Sequence, residues 1–243
     1  MAKKKIEKTN WKPTDDRFVA FLDILGFKDL VMRKSHEEIY QSLNQISKSK
    51  KLIEKAALEL DSVGDAEVYV VSFSDSIVIF SKNDSIENFR YFLFATRWLF
   101  TGAFNKQIPI KGAIAHGEIS LNKTEQIYFG QPIIDAYLME EDVNYMGVVA
   151  HNSIDEYVAN INNQEEKDKF KNLLIEEKTP LKCGLLTHTN LNWFRIIKPK
   201  DKDKFDIQDI KDKINLFKYS ASGTARKYID NSISFLEKIE NRV

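Results

Sequence analysis

Cysteine is almost absent from this chain. Its one thiol, Cys183, can neither close an intramolecular disulfide nor build a thiolate zinc site, so the expected compartment is a reducing cytoplasm. No apolar run approaches the roughly 20 residues that a membrane-spanning helix needs. The opening Met1-Ala-Lys-Lys-Lys-Ile-Glu-Lys8 has no apolar signal-peptide core behind it, so the expectation is a soluble, intracellular protein with no membrane partner. An excess of charge is missing too, because 36 basic and 36 acidic residues cancel. No global field then argues for nucleic acid or a membrane surface as partner. The 9 glycines form neither a Walker-type loop nor a dinucleotide fingerprint, and no internal repeat of fixed period is found.

What is present is a length of 243 residues, enough for one sizeable core with an appended lobe. Residues 1–15, polar and basic with Pro13, read as a flexible arm, 16–151 as the core domain, and 152–243 as an extension packed on it. Two stretches organise the core: Arg17-Phe-Val-Ala-Phe-Leu-Asp-Ile-Leu-Gly-Phe27 and Val70-Val-Ser-Phe-Ser-Asp-Ser-Ile-Val-Ile-Phe80. Each is an apolar run interrupted by one carboxylate, Asp23 or Asp75, and reads as a buried strand whose charge needs a partner. Asp23 stands at the mouth of a strand-to-helix turn, where free amides can receive phosphate oxygens. Asp75 stands at a hairpin tip. Two carboxylates at adjacent strand ends, with no Cys or His nearby, suit a hard cation such as Mg²⁺ or Mn²⁺.

Around these stretches the periodicity predicts a strand at 17–24, two helices within 28–60 split near Arg33-Lys34-Ser35, and strands at 66–73 and 76–81. A helix follows over 84–103, capped by Asn83 or Asp84 and dense in aromatics, then a strand that ends at Gly117, a helix from Pro132 to Glu141, and a strand at 147–151. Beyond residue 152 the expectation is a mainly helical extension: a helix at 153–175, a strand at 191–197, and helices from 207 and from Gly223 to Glu240. The mixed-sign run Lys198–Lys204 reads as a solvated loop.

Strand, two helices, hairpin, helix, strand is the order of a βααββαβ unit, an α+β sandwich of ferredoxin-like palm type. Phe21-Leu-Asp-Ile-Leu-Gly-Phe27, Ser72-Phe-Ser-Asp-Ser76, Lys111-Gly-Ala-Ile-Ala-His-Gly117 and Phe129-Gly-Gln-Pro-Ile-Ile-Asp-Ala-Tyr-Leu-Met-Glu140 together resemble the class III nucleotide cyclases. Among these the chain is similar to the short pyrimidine cyclases of bacterial Pycsar anti-phage systems, which make cyclic UMP or cyclic CMP. The resemblance covers residues 17–150. It implies a cytoplasmic homodimer with its sites at the interface, acting on UTP or CTP with two Mn²⁺ or Mg²⁺ ions per site, and a separate effector protein that receives the product. Asp23, Asp75 and the backbone carbonyl of Ile24 match the metal ligands. The amides of Gly26, Phe27 and Lys28 match the phosphate-holding turn, and Lys111 matches a basic residue that contacts the triphosphate.

The match has gaps. Purine cyclases carry a lysine shortly before the second metal aspartate, but here the strand reads Tyr69-Val-Val-Ser-Phe-Ser74, which leaves Tyr69 and Val71 as base-recognition candidates and favours a pyrimidine. The helix positions expected to hold Asn and Arg are Ile134 and Leu138. Asp135 and Tyr137 on that helix, or Arg97 or Arg226 from elsewhere, are the candidates for the missing catalytic role. His116 reads as structural. Two other readings stay open: an inactive cyclase-shaped module that senses a nucleotide, and a purine cyclase. An aspartate-nucleophile phosphatase is discounted, because the general acid it needs two residues after Asp23 is Leu25.

Overall fold

The computed structural model describes residues 10–59, 64–194, 207–219 and 221–240. Residues 1–9 of the expected arm, residues 195–197 and the Lys198–Lys204 run lie outside the described residues; of the strand expected at 191–197, the described part is extended at Leu191 alone. The core opens with β1 (Thr14–Ile24), α1 (Phe27–Arg33), α2 (His36–Glu59), β2 (Val68–Phe73), β3 (Ser76–Ser81), α3 (Ile86–Phe104) and β4 (Ile110–Asn122), the expected βααββαβ order. It continues with β5 (Ile127–Phe129), α4 (Gln131–Asp142), β6 (Val148–Ala150), α5 (Asn152–Ala159), α6 (Gln164–Lys171), β7 (Leu174–Leu181), β8 (Gly184–Leu191), α7 (Ile207–Leu216) and α8 (Arg226–Glu240). One sheet runs in the order β2-β3-β1-β4-β6-β8-β7, with β5 added beside β4.

Strand parity decides what each face of the sheet buries. Phe18, Ala20, Leu22 and Ile24 of β1, Val68 and Val70 of β2, and Ile77 and Ile79 of β3 enter the main core, which α2, α3, α7 and α8 complete with residues such as Ile53, Phe92, Ile210 and Phe235. Val19, Phe21 and Asp23 point to the other face, with Tyr69, Val71, Val78 and Phe80. On that face α4 and β5 provide cover through Ala136, Ile133 and Tyr128. Phe73, Ile134 and Leu138 remain exposed, at 84%, 52% and 54%.

Several expectations need correction. The cap of α3 is Ser85, whose hydroxyl accepts the Asn88 N–H; Asn83 instead accepts from Ser85 N and Asn88 Nδ2. β4 does not stop at Gly117, because β1 begins at Thr14 and the ladder continues to the pair Thr14–Ser120. The helix expected at 153–175 is two helices broken at Asn160–Asn163, where the Asn163 side chain caps α6 by accepting from Glu165 N and Glu166 N. The segment after it is the β7–β8 hairpin, paired from Leu174–Leu191 to Leu181–Gly184, so the extension adds two strands to the sheet besides its helices.

Candidate active site

The site is assembled at the end of β1. Asp23 stands opposite Ser76 on β3 and opposite Lys111 on β4. The tight β2–β3 turn, with Ser74 at φ 55°, brings Asp75 alongside: its carbonyl accepts the Ile24 N–H at 3.2 Å. Leu25 N–H donates to Pro109 O at 2.9 Å, and Gly26 then turns the chain into α1 at φ 72°. Close approach of the strands depends on Gly112, where an added Cβ would lie 2.3 Å from Leu22 Cδ2 and 2.6 Å from the Phe21 carbonyl oxygen.

Charge is poorly matched here. Burial is the main cause that pushes the Asp23 carboxyl up to about 7; Glu140 and Asp75 raise it further, and Lys111 opposes them. Lys111 is buried, and its ammonium lies 2.9 Å from Glu140 Oε1 and donates to the Glu140 carbonyl at 2.7 Å. Glu140, itself 4% exposed, is raised by burial and held down by Lys111. No role was expected for Glu140. Its signal in the sequence was a carboxylate one turn after Ala136 on the inward face of a largely apolar helix.

The structure brings Asp23, Asp75 and Ile24 together and puts Gly26, Phe27 and Lys28 at the adjoining first turn of α1, where Gly26 offers no side-chain cap. Lys111 is at the site but is engaged by the last turn of α4, in contrast to its expected contact with a triphosphate. Val71 lies in the row Val71–Val78–Phe21, two residues short of Asp23 along the strand. Tyr69 lies a further two residues back, an offset of about 13 Å at the usual strand rise. Its hydroxyl is 3.0 Å from that of Tyr128 and its ring packs on Trp11, contacts that serve packing.

Two further candidates stand apart from the acid pair of their own chain. Arg97 belongs to α3, which packs on the sheet face opposite Asp23. Asp135 sits near the start of α4, accepts from Gln131 Nε2 at 2.7 Å, and lines a cleft of about 350 Å³ with Gly117 and Gly130. That cleft lies at the Gly117 end of the β4 segment, six residues or about 20 Å from Lys111. Asp135 therefore lies away from the acid pair of its own chain. Arg226 donates from Nε to the Ala221 carbonyl. Tyr137 packs edge-on against Phe21 with ring centroids 5.3 Å apart. His116 packs against Phe18 and Tyr157, and its Nε2 lies 3.4 Å from Asp84 Oδ2, a structural setting.

A divalent cation fits Asp23, Asp75 and the Ile24 carbonyl on donor chemistry: all are hard oxygen donors, and burial with Glu140 and Asp75 raises the Asp23 pKa. Among the described residues no group of three or more His, Cys, Asp or Glu side chains is arranged to hold a metal ion, so the fit rests on two carboxylates and a carbonyl. No helix among the described residues is long and apolar enough to cross a membrane.

The sequence matches no family model, and no curated protein matches it. Its fold is similar to that of the catalytic core of a rhodopsin–guanylyl cyclase with converted specificity, solved in complex with ATPαS. The TM-score is 0.52 at 15% identity, over 73% of this chain and 94% of that one. A bacterial light-regulated adenylyl cyclase aligns over 74% of this chain and 91% of that one at 12% identity and TM-score 0.47. The guanylyl cyclase Cya2 aligns over 73% and 91% at 12% identity and TM-score 0.43. The first of these likenesses establishes the architecture: this chain has the fold of a nucleotide-cyclase catalytic core.

Proposed function

We propose that this protein is a metal-dependent nucleotide cyclase that converts UTP or CTP to its 3′,5′-cyclic monophosphate and pyrophosphate. The observation that carries the reading is the pairing of Asp23 with Asp75 at the end of β1, on a fold shared with a cyclase core. Bound at Asp23, Asp75 and the Ile24 carbonyl, divalent cations would acidify the ribose 3′-hydroxyl and neutralise charge on the departing pyrophosphate. The chain's own residues orient the substrate. The first-turn amides at Gly26, Phe27 and Lys28 receive phosphate oxygens, and the open apolar face at Phe21, Val71 and Val78 receives the base. The pyrimidine preference rests on the absence of a lysine before Asp75; of the two base candidates, Val71 lies nearer Asp23 along the strand than Tyr69. A homodimer would cover the exposed Phe73, Ile134 and Leu138. By resemblance, the product is a second messenger in anti-phage defence, read by a separate effector protein.

One observation favours a second reading, a module that senses nucleotide without turning it over: Lys111 is engaged by Glu140, and Ile134 and Leu138 stand where Asn and Arg are expected. Incubation with Mn²⁺ and each of ATP, GTP, CTP and UTP, with products resolved by mass, separates the two. A cyclic pyrimidine product that disappears in Asp75→Ala supports the cyclase. Nucleotide binding with no cyclic product from any of the four supports the sensor.

A further inference from the structure

Strand register places an ammonium beside the acid pair. Asp23 on β1 and Lys111 on β4 are directly opposed. Opposed residues of an antiparallel pair share a face, with Cβ atoms about 5 Å apart, so opposite charges at such positions attract each other across the strands. A lysine side chain is long enough to close that gap. An ion pair between Lys111 and Asp23 is therefore the arrangement the sheet alone would favour, unless something stronger takes the ammonium.

Here the last turn of α4 takes it. The Lys111 ammonium lies 2.9 Å from Glu140 Oε1 and donates to the Glu140 and Glu141 carbonyls at 2.7 and 3.4 Å. Two attractions add: a full carboxylate charge, and the carbonyls at the negative end of the helix dipole. The fold holds Glu140 in place through Ala136, one turn earlier, which is buried against the same sheet face. Lys111 and Glu140 are 6% and 4% exposed, whereas Asp23 and Asp75 keep part of their surface open. The neutralised pair is shut away from water, and the carboxylates of the acid pair are left to the outside.

We infer that Glu140 is a positioning residue for the cation site: by holding the Lys111 ammonium on α4 it keeps Lys111 from pairing with Asp23, and so leaves the Asp23 carboxylate to a divalent cation. This rests on the reading of Asp23 and Asp75 as cation ligands. An ammonium on Asp23 and a divalent cation want the same oxygens and repel each other, so only one of them can be accommodated there. With Glu140 present, Lys111 ties α4 to the end of β4 without opposing the cation.

The test is binding of Mn²⁺ alone to the full chain, followed by the electron paramagnetic resonance signal of the free ion, with thermal midpoints measured alongside, for wild type, Glu140→Gln and Lys111→Met/Glu140→Leu. Glu140→Gln keeps the shape and removes the charge that holds Lys111. Its Mn²⁺ affinity should fall by about 10–100-fold, the scale seen when a residue that orients a metal ligand is lost. The double variant removes the holding and the held charge together and should bind Mn²⁺ as wild type does. If Glu140→Gln keeps wild-type affinity, whatever its thermal midpoint, Glu140 is a packing residue and the inference is overturned. If the double variant is weak as well, Glu140 acts on the cation itself and the inference is again overturned; this arm decides alone should Glu140→Gln not fold. If the wild type binds no Mn²⁺, the cation reading of Asp23 and Asp75 falls first, and this inference with it.

Discussion

At the end of the sheet where β2 begins, Lys82, Glu67 and Lys123 on the α4-side face all have partners. Lys82 lies 2.6 Å from Asp65 and 3.4 Å from Glu67, and Trp11 Nε1 donates to Glu67 at 3.0 Å. The Lys123 ammonium stands 3.5 Å from the centre of the Trp11 ring. At the end where β1 stops, the cation that opposes the rise of Asp23 is Lys111, and Lys111 is held by Glu140. The two ends share strands, face and amphipathic pattern. They differ in that the described charges of one are matched within the chain, whereas at the other the Asp23 carboxyl is raised by burial and by Glu140 and Asp75, the condition expected of a site that binds a cation and an anionic substrate.

The comparison breaks most visibly at the acid pair. Asp75→Asn should lower turnover by on the order of 10²–10³, the scale for loss of one electrostatic stabiliser of a transition state. The denaturation midpoint should stay unchanged, because a carboxylate held among like charges contributes little to folding. A loss of stability equal to the loss of activity would assign Asp75 to the scaffold and put it with the matched end of the sheet.

Lys111 sharpens the contrast from the other side. Lys111→Met leaves the Glu140 carboxylate buried without its ammonium, a loss of about 3–5 kcal/mol for a broken buried pair. Urea denaturation would measure it, and the double variant Lys111→Met/Glu140→Leu should recover most of it. If the single variant instead keeps its stability and loses affinity for triphosphate, Lys111 acts directly on the ligand, as the sequence resemblance implies.

Asp23 supplies a pH dependence of smaller size. Its native carboxyl titrates at about 7 and an unfolded aspartate near 3.8, so between those values the folded chain holds the extra proton. Stability from this group is therefore greatest at low pH and falls as pH rises from about 4 to about 7. Urea midpoints at pH 5 and pH 8, compared between wild type and Asp23→Asn, should show a fall in the wild type that the variant lacks. Mn²⁺ at pH 8 should restore the wild type and leave the variant unmoved, since cation and proton compete for the same oxygens.

What could be read from sequence alone follows a physical divide. Runs with one carboxylate among apolar residues, as around Asp23 and Asp75, stand out because a buried charge is costly, and these set both the strands and the candidate site. The β7–β8 hairpin was missed because Glu176, Glu177 and Lys178 give no clean alternation, and Glu177 is nonetheless 3% exposed. Asp135 and Arg97 were chosen by residue type, and type says nothing of how far along the sheet a side chain falls or which face its helix covers. Glu140 joins the site only through the packing of α4 on β4, a long-range fact that no local pattern carries.

The smallest expected effect falls on Tyr69, at the matched end. Tyr69→Phe removes the hydroxyl that meets Tyr128 and keeps the ring on Trp11, so it should cost about 1 kcal/mol of stability, the usual worth of one such hydrogen bond. Turnover and the choice between UTP and CTP should not move, because the hydroxyl lies far along the strand from Asp23. Val71→Lys, by contrast, puts an ammonium two residues nearer the acid pair, on the face assigned to the base, and should shift nucleotide preference while leaving Tyr69 undisturbed. A change in base preference from Tyr69→Phe, with Val71→Lys silent, would place the base at the aromatic end and move the site boundary one strand row further from β1's end than the charges imply.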